Sequence, residues 1–222
     1  MLKIHKTLAW FSLAAVLAYA MPAPAAENTP AKPSPSLTIA AAADLQFALD
    51  DLVKEFNTKN PASQASVTFG SSGNFYAQIQ NGAPFDLFLS ADIQYPRKLA
   101  EAGLVAGDVF PYAVGRIVVW VPKKSPVDVA KLGIKALLES SIHKIAIANP
   151  EHAPYGRAAV EALKALKVYE QVQPKLVFGE NIAQTAQFVQ SGAADIGIIA
   201  LSLAIAPKMS EAGRYWEVPL DA

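Results

Sequence analysis

The feature that most limits the folds open to this chain is a recurring order of segments: a short apolar run, a junction of small or polar residues, and then a helical pattern. Leu37 to Ala42 have the length of a strand, and the apolar residues from Leu45 to Phe56 recur at helical spacing. Further strands are predicted at residues 65–69, 86–89, 116–121, 144–148, 175–178 and 195–200. Helical patterns are centred on residues 75–79, 95–102, 156–166 and 182–190. This alternation predicts an α/β protein with mostly parallel sheets.

The segment from Arg116 to Val121 marks a boundary between two lobes. It is apolar and β-branched without polar alternation, as expected of a strand that is covered on both faces, and Pro122 follows it. The strand-helix order restarts after this point. We therefore predict a first lobe over residues 37–115 and a second lobe over residues 116–205, with a cleft between them.

The first 26 residues have the pattern of a secretory signal peptide. Lys3 and Lys6 precede an apolar run from Leu8 to Ala20, and small residues follow that run. A membrane anchor is the alternative interpretation, but the run is shorter than the roughly 20 residues that span a bilayer. Residues 27–36 are polar and contain three prolines, which predicts a flexible linker. The sequence thus predicts an exported, periplasmic protein.

Composition excludes two classes of exported protein. The chain has no cysteine, so it is not a small scaffold held together by disulfides. Loss of Lys3 and Lys6 with the signal peptide would leave 17 of 19 basic residues against 19 acidic ones, a formal charge of −2. No basic surface for nucleic acid is indicated.

Four predicted strand-to-helix junctions carry small, polar or glycine residues. They are Ala42-Ala43-Asp44, the run from Gly70 to Asn74, Pro154-Tyr155-Gly156, and the run from Gly179 to Ile182. Such junctions meet at the carboxyl edge of a parallel sheet, where each helix N-terminus offers unpaired N–H groups and about half a positive charge. Several of them together bind an anion without lysine or arginine. In the second junction, Ser71 or Ser72 could cap the helix while the other hydroxyl faces a ligand, although an ordinary capping serine explains the pair equally well.

Motifs of catalysis are missing from the sequence. It contains no Gly-x-Ser-x-Gly, no phosphate-binding Gly-Lys-Ser/Thr and no Gly-x-Gly-x-x-Gly after a strand. His143 and His152 lack the spacing of a zinc site and are interpreted as solvated or hydrogen-bonded structural residues. We therefore expect a binding protein and not an enzyme. An exported hydrolase that uses Asp44, Ser72 and Tyr155 is the alternative.

Three runs of residues resemble one known family. They are residues 40–45 (Ala-Ala-Ala-Ala-Asp-Leu), residues 82–92 (Gly-Ala-Pro-Phe-Asp-Leu-Phe-Leu-Ser-Ala-Asp) and residues 149–156 (Asn-Pro-Glu-His-Ala-Pro-Tyr-Gly). Together they are similar to the substrate-binding proteins of bacterial molybdate ABC importers, and the resemblance extends from about Leu37 to the end of the chain.

The resemblance implies a type II periplasmic-binding-protein fold whose two lobes close over molybdate or tungstate. It implies that Ser72 donates its hydroxyl and amide, and that Tyr155 and Ile182 donate main-chain N–H groups. The partner implied is a membrane permease of an ABC transporter, to which a monomer without a cofactor delivers the anion.

Two positions depart from the family pattern. Asp44 stands where members usually have Ser or Asn, and a carboxylate there would repel a dianion. Either Asp44 caps the following helix and offers only its N–H, which we favour, or the ligand is a protonated oxyanion such as phosphate. Ala200 replaces a tyrosine that some members use as a donor, a loss that Tyr155 could compensate. Sulfate is a further candidate ligand.

The resemblance also predicts the role of the last residues. Family members continue beyond the equivalent of residues 216–221 with C-terminal helices that complete the first lobe. Residues 206–222 are accordingly expected to return to the first lobe, in a chain that ends early and leaves apolar surface exposed there.

Overall fold

The computed structural model describes residues 36–220, so the predicted signal peptide and nearly all of the predicted linker lie outside the described residues. The strands are β1 (Ser36–Ala42), β2 (Gln64–Gly70), β3 (Leu87–Leu89), β4 (Ile117–Pro122), β5 (Ile145–Ala148), β6 (Leu176–Gly179), β7 (Ile196–Ala200) and β8 (Gly213–Glu217). The α-helices are α1 (Gln46–Lys59), α2 (Ser72–Gln80), α3 (Gln94–Glu101), α4 (Val129–Leu132), α5 (Pro154–Ala165), α6 (Tyr169–Val172), α7 (Ile182–Ser191), α8 (Leu201–Ala204) and α9 (Pro207–Ala212). Short 3₁₀ turns occupy Ala43–Leu45, Gly133–Leu138 and Gln173–Lys175.

Every strand predicted from the sequence is present within one residue of its predicted bounds. The long helices are also present, since α1, α2, α3, α5 and α7 lie where the helical patterns fall. The short helices α4, α6, α8 and α9 and the strand β8 were not predicted. Their segments are four to six residues long, too short for a hydrophobic period to show.

The strands form two separate sheets. The first lobe contains a parallel three-stranded sheet in the order β2-β1-β3. The second lobe contains a five-stranded sheet in the order β6-β5-β7-β4-β8. Within it β5 pairs in parallel with β6 and β7, whereas β4 runs antiparallel to both of its neighbours. The fold is the predicted α/β arrangement of mostly parallel strands.

Both faces of the five-stranded sheet are covered by apolar clusters. Successive residues of β4 alternate between them: Val119 and Val121 belong to one cluster, whereas Val118 and Trp120 belong to the other. All four side chains are fully buried, which explains why β4 is apolar without alternation. The prediction of a strand covered on both faces is confirmed.

The three-stranded sheet has a smaller core. Helix α1 packs against its core through Leu49 and Val53, and Leu45 of the preceding 3₁₀ turn packs there as well, against Ile39 and its buried neighbours. Several large apolar side chains of the first lobe stay exposed, among them Phe110 at 71% and Val114 at 84%. Most of the buried apolar surface therefore lies in the second lobe.

The last described strand differs from its predicted place. Residues 206–222 were assigned to the first lobe, but β8 pairs with β4 across Val118–Glu217 to Pro122–Gly213, at the edge of the second sheet. Trp216 of β8 packs against the core of that lobe. Strand β8 therefore belongs to the second sheet and not to the first, because it covers the edge of β4.

Among the helices of residues 36–220, none combines the length and apolar character that crossing a membrane requires.

Candidate functional site

The four predicted junctions converge on one cleft between the two sheets. Its lining comes from the end of β1 and the turn after it, the start of α2, the loop after β3, the start of α5 and the start of α7. The lining residues are Ala42, Ala43, Asp44, Gly70, Ser71, Ser72, Ala91, Ala153, Pro154, Tyr155 and Ile182. The four residues predicted to hold a ligand, Asp44, Ser72, Tyr155 and Ile182, are thus neighbours in space. Parallel pairing explains this meeting, because it brings the carboxyl ends of strands to one edge.

Ser72 begins helix α2 and is almost fully buried, at 1% exposure. Its Oγ accepts a hydrogen bond of 2.9 Å from the main-chain N–H of Ala91. Since a hydroxyl both accepts and donates, this bond orients Ser72 and leaves its hydrogen for a ligand. Neither Ser71 nor Ser72 caps α2 with its side chain, so the predicted capping serine is wrong.

Two main-chain N–H groups face the cleft at helix starts. Asn181 caps α7, and its Oδ1 accepts from the N–H groups of Ala183 and Gln184, both at 3.0 Å. This cap does not use the N–H of Ile182, the first residue of the helix. Within the described residues neither Ile182 nor Tyr155 has a hydrogen bond to its main-chain N–H. Both groups are therefore available to an anion.

Asp44 does not cap a helix, contrary to the interpretation favoured from the sequence. No side-chain cap is present at the 3₁₀ turn or at α1. Instead the carboxylate is buried in the cleft at 8% exposure, and its Oδ2 accepts a hydrogen bond of 3.0 Å from the hydroxyl of Tyr155. Ser202 donates to the main-chain oxygen of Asp44 at 2.7 Å. The competing partner of the carboxylate lies 111 residues away, so local capping rules could not reveal it.

Burial dominates the electrostatics of the Asp44 pair. Removal from water raises the pKa of Asp44 to about 6, against the opposing effect of the Tyr155 hydrogen bond. Burial and the nearby Asp44 charge also raise the pKa values of Tyr155 and Tyr112, so both phenols are neutral. Asp44 is the charged side chain of the cleft lining, which contains no lysine or arginine.

Contacts across the cleft join the two lobes beside the site. The N–H of Gly73 donates to the main-chain oxygen of His152 at 2.9 Å, and Asn74 donates to Glu180 at 2.7 Å. The His152 ring contacts Ser71 Oγ at 3.0 Å and lies 3.5 Å from Glu180. His152 is hydrogen-bonded, which agrees with its predicted structural role. Its partner Ser71 is 81 residues away, so no local pattern could reveal this contact.

A second cross-lobe contact lies farther along helix α5. Arg157 pairs with Asp92 at 2.7 Å and donates to the hydroxyl of Tyr95 at 3.0 Å. Asp92 follows β3 in the first lobe, whereas Arg157 belongs to the second lobe. With these contacts in place the cleft encloses about 10 Å³, roughly the room for one water and less than a tetrahedral oxyanion fills.

A larger groove lies elsewhere on the first lobe. It has a volume of about 340 Å³ and runs along β3, α3 and residues 104–113. Its lining is mainly apolar, and its charged members are Asp86 and Asp108. The small cleft brings together the Ser72 hydroxyl and the unused main-chain N–H groups of Tyr155 and Ile182, so it is the better oxyanion site despite its own carboxylate.

The donor at position 200 is missing, as the sequence indicated. Ala200 ends β7, is fully buried and belongs to the same apolar cluster as Tyr155. The hydroxyl of Tyr155 does point into the cleft, but it is engaged by Asp44. The arrangement thus offers one serine hydroxyl and several main-chain amides to an anion, opposed by one buried carboxylate.

Comparison with known proteins gives consistent matches. Residues 37–222 match the family model described as bacterial extracellular solute-binding protein. The chain is 42% identical over 184 residues to the molybdate-binding protein ModA of Azotobacter vinelandii, covering 82% of this chain and 71% of that protein. It is 39% identical over 211 residues to ModA of Rhodobacter capsulatus, covering 95% and 77%.

Solved structures give the same result for the fold. The periplasmic molybdate-binding protein of Azotobacter vinelandii superposes with a TM-score of 0.74 at 34% identity, covering 82% of this chain and 79% of that one. The sulfate-binding protein SubI of Mycobacterium tuberculosis superposes with a TM-score of 0.65 at 17% identity, covering 82% and 71%. At that identity the second match is evidence for the fold alone.

Proposed function

The chain belongs to the bacterial extracellular solute-binding proteins and, within them, to the molybdate-binding protein family, and on that premise we propose that it captures molybdate or tungstate for an ABC importer. The family resemblance and the periplasmic-binding-protein fold predicted from the sequence are confirmed. Members of this family bind solutes and are not enzymes, so the hydrolase alternative is set aside.

The main support for the proposal is that uncharged hydrogen-bond donors meet in the cleft. The Ser72 hydroxyl and the main-chain N–H groups of Tyr155 and Ile182 meet in one cleft at the starts of three helices. These helices are nine, twelve and ten residues long, and each adds the positive end of its dipole. Donors on opposite lobes that bind one anion favour the closed arrangement.

Neutral donors also suit discrimination by size. Molybdate and tungstate are tetrahedral dianions with longer metal–oxygen bonds than the sulfur–oxygen bonds of sulfate. A site made of fixed amides and one oriented hydroxyl holds its donors at set distances, so an anion of the wrong size leaves some of them unpaired. A buried donor without a partner costs about 1–3 kcal/mol, enough for roughly five- to hundredfold selectivity.

Delivery to a membrane permease follows from lobe closure. The contacts Gly73–His152, Asn74–Glu180 and Arg157–Asp92 join the two sides of the cleft, and separation of the lobes would break all three. A permease that recognises the closed surface thereby recognises the loaded protein. We propose that residues 1–26 direct the chain to the periplasm and that the monomer docks there.

Hydrogen phosphate is a second candidate, and the buried carboxylate of Asp44 favours it. An ionised carboxylate accepts a hydrogen bond, and hydrogen phosphate carries a proton that it can donate at neutral pH. Molybdate and sulfate carry none under the same conditions. The choice of ligand therefore depends on whether Asp44 faces the anion in its charged form.

Thermal denaturation of the chain from Glu27 with molybdate, tungstate, sulfate and phosphate tests these candidates. A ligand that binds only the folded state stabilises it by RT ln(1 + [L]/Kd), about 2.7 kcal/mol at a hundredfold excess over Kd. We expect a rise in Tm with molybdate and tungstate and little with sulfate. Stabilisation by phosphate alone would favour the second candidate, and a cooperative melt that no anion shifts would refute both.

A further inference from the structure

One oxygen of a buried carboxylate in the cleft has no partner. Asp44 Oδ2 accepts from Tyr155, but Asp44 Oδ1 is buried without a hydrogen bond among the described residues. The side chain is more than nine-tenths buried and belongs to the cleft lining, beside Ser72 and Ile182. A buried polar atom that lacks a partner costs stability, so this oxygen is positioned for a group that enters the cleft.

No positively charged side chain lines the cleft beside Asp44 within residues 36–220, and only the hydrogen bond from Tyr155 and the main-chain N–H of Asp44 itself oppose the rise in its pKa. The neighbouring Tyr155 and Tyr112 are neutral phenols, since burial raises the pKa of each. The helices α7 and α8, which also pack against the 3₁₀ turn of Asp44, have no titratable side chain. The charged residues of α1 begin at Asp50 and are exposed to solvent. The next titratable group at the site, His152, contacts Ser71 and Glu180.

An ionised Asp44 and a dianion therefore oppose each other in one small cleft. The interaction of two like charges at contact distance is strongly unfavourable where water is excluded. A proton on Oδ1 removes this conflict and also turns the carboxyl from an acceptor into a donor. The carboxyl then joins Ser72 and the main-chain amides in binding the anion, while Oδ2 keeps the hydrogen bond from Tyr155.

We propose that capture of the anion takes up one proton from solvent, which is held between Asp44 Oδ1 and an oxygen of the bound molybdate-type anion. This inference rests on the proposed function and adds a coupling between binding and pH. In the balanced step, the free carboxylate, the dianion and one solvent proton give a neutral carboxyl that donates to the dianion. One O–H bond forms on Asp44, one bond to hydrogen breaks in the hydronium ion or buffer acid that supplies the proton, and no other covalent bond changes.

In the free protein, burial in the cleft already raises the pKa of Asp44 to about 6, so that less energy is needed to protonate it at neutral pH. A dianion beside the carboxyl favours the protonated form further, because it penalises only the charged state. Affinity should then be nearly constant below the pKa of the free protein and fall by about tenfold for each pH unit above it.

Titration calorimetry with sodium molybdate tests the inference on the chain from Glu27, in pairs of buffers that differ in ionisation enthalpy. The buffer dependence of the heat gives the number of protons taken up per anion. We expect about one at pH 8 and about one half at pH 6, from the fraction of free Asp44 that is ionised. Dilute molybdate remains a dianion over this range, so the proton is not supplied by the ligand.

Two variants complete the design. Asp44→Asn places an amide donor where the protonated carboxyl would be, so it should bind without proton uptake and up to about a hundredfold more tightly than wild type at pH 8. Asp51→Asn removes an exposed carboxylate of α1 and should behave as wild type.

Binding by wild type with no proton uptake and a constant Kd between pH 6 and 8 would overturn the inference and leave the proposed function intact. Failure of wild type and Asp44→Asn alike to bind molybdate would overturn the proposed function and the inference together. Proton uptake that persists in Asp44→Asn would assign the proton to another group and would also overturn the inference.

Discussion

Replacement of Asp44 by asparagine should stabilise the protein at neutral pH in the absence of any anion. Most substitutions of a buried residue destabilise, so the expected sign is unusual. It follows from burial, which raises the pKa of Asp44 from 3.8 to about 6 in the folded state. The folded protein therefore holds the carboxylate in a place where its charge is unfavourable, and asparagine removes the charge.

The size of the effect follows from the pKa values. A shift of about two pKa units at 1.36 kcal/mol each corresponds to about 3 kcal/mol at pH 8. Asparagine keeps an acceptor for the Tyr155 hydroxyl but places an amide donor at the position of Oδ1, and a buried donor without a partner costs about 1 kcal/mol or more. A net gain of about 1–2 kcal/mol should raise Tm by about 2–8 °C for a domain of this length.

The pH dependence identifies the cause. Because the folded pKa of Asp44 is raised, its favourable contribution is complete below the unfolded value of 3.8 and is lost as pH rises through about 6. The Tm difference between Asp44→Asn and wild type should thus be largest above pH 7 and should fall to zero or slightly below it near pH 4, where the charge penalty is absent and only the cost of the amide donor remains. Thermal melts followed by circular dichroism at pH 8, 6 and 4 measure it.

Asp86 provides a control of opposite sign. It accepts hydrogen bonds from the N–H and hydroxyl of Thr38, which lower its pKa, so Asp86→Asn should remove stability that wild type has at neutral pH and loses in acid.

The reasoning would be refuted if Asp44→Asn were less stable than wild type at pH 8. A stabilisation of equal size at all three pH values would refute it as well, because the charge would then not be its cause.

Three further substitutions test the cleft contacts and the core. Gly73→Ala would place a Cβ 2.6 Å from the main-chain oxygen of His152 across the cleft. The substitution should oppose closure of the cleft and weaken the affinity for molybdate by about five- to a hundredfold in calorimetry. An unchanged Kd would show that the two sides of the cleft need not meet there. Arg157→Gln breaks the pair with Asp92 and should weaken affinity by only about two- to tenfold, since the pair is partly exposed, and a larger loss would indicate a direct role at the site. Leu163→Ala removes a fully buried side chain of α5 and should cost about 2–5 kcal/mol in urea unfolding; a cost below 1 kcal/mol would contradict the described core.

The order of strands and helices could be predicted from the sequence because local patterns encode it. Alternation of apolar strands with helical periods placed every long element, and the continuous apolar run of β4 correctly indicated burial on both faces. The convergence of the junctions followed from a general rule of parallel sheets, so Asp44, Ser72, Tyr155 and Ile182 could be grouped without coordinates. Residues 40–45, 82–92 and 149–156 carried the family resemblance, and each of these runs contributes lining residues to the cleft.

Only the tertiary structure decided how those groups use their hydrogen bonds. The capping rule for Asp44 failed because Tyr155, distant in sequence, donates its hydroxyl hydrogen to the carboxylate inside the cleft. The hydroxyl of Ser71 is likewise hydrogen-bonded to a distant residue, His152. Strand β8 likewise joined the second sheet because it pairs with the edge of β4, a pairing that depends on register and not on composition. Propensity and periodicity act over a few residues, whereas burial, pKa and hydrogen-bond partners are set by the packing of segments that the chain brings together from far apart.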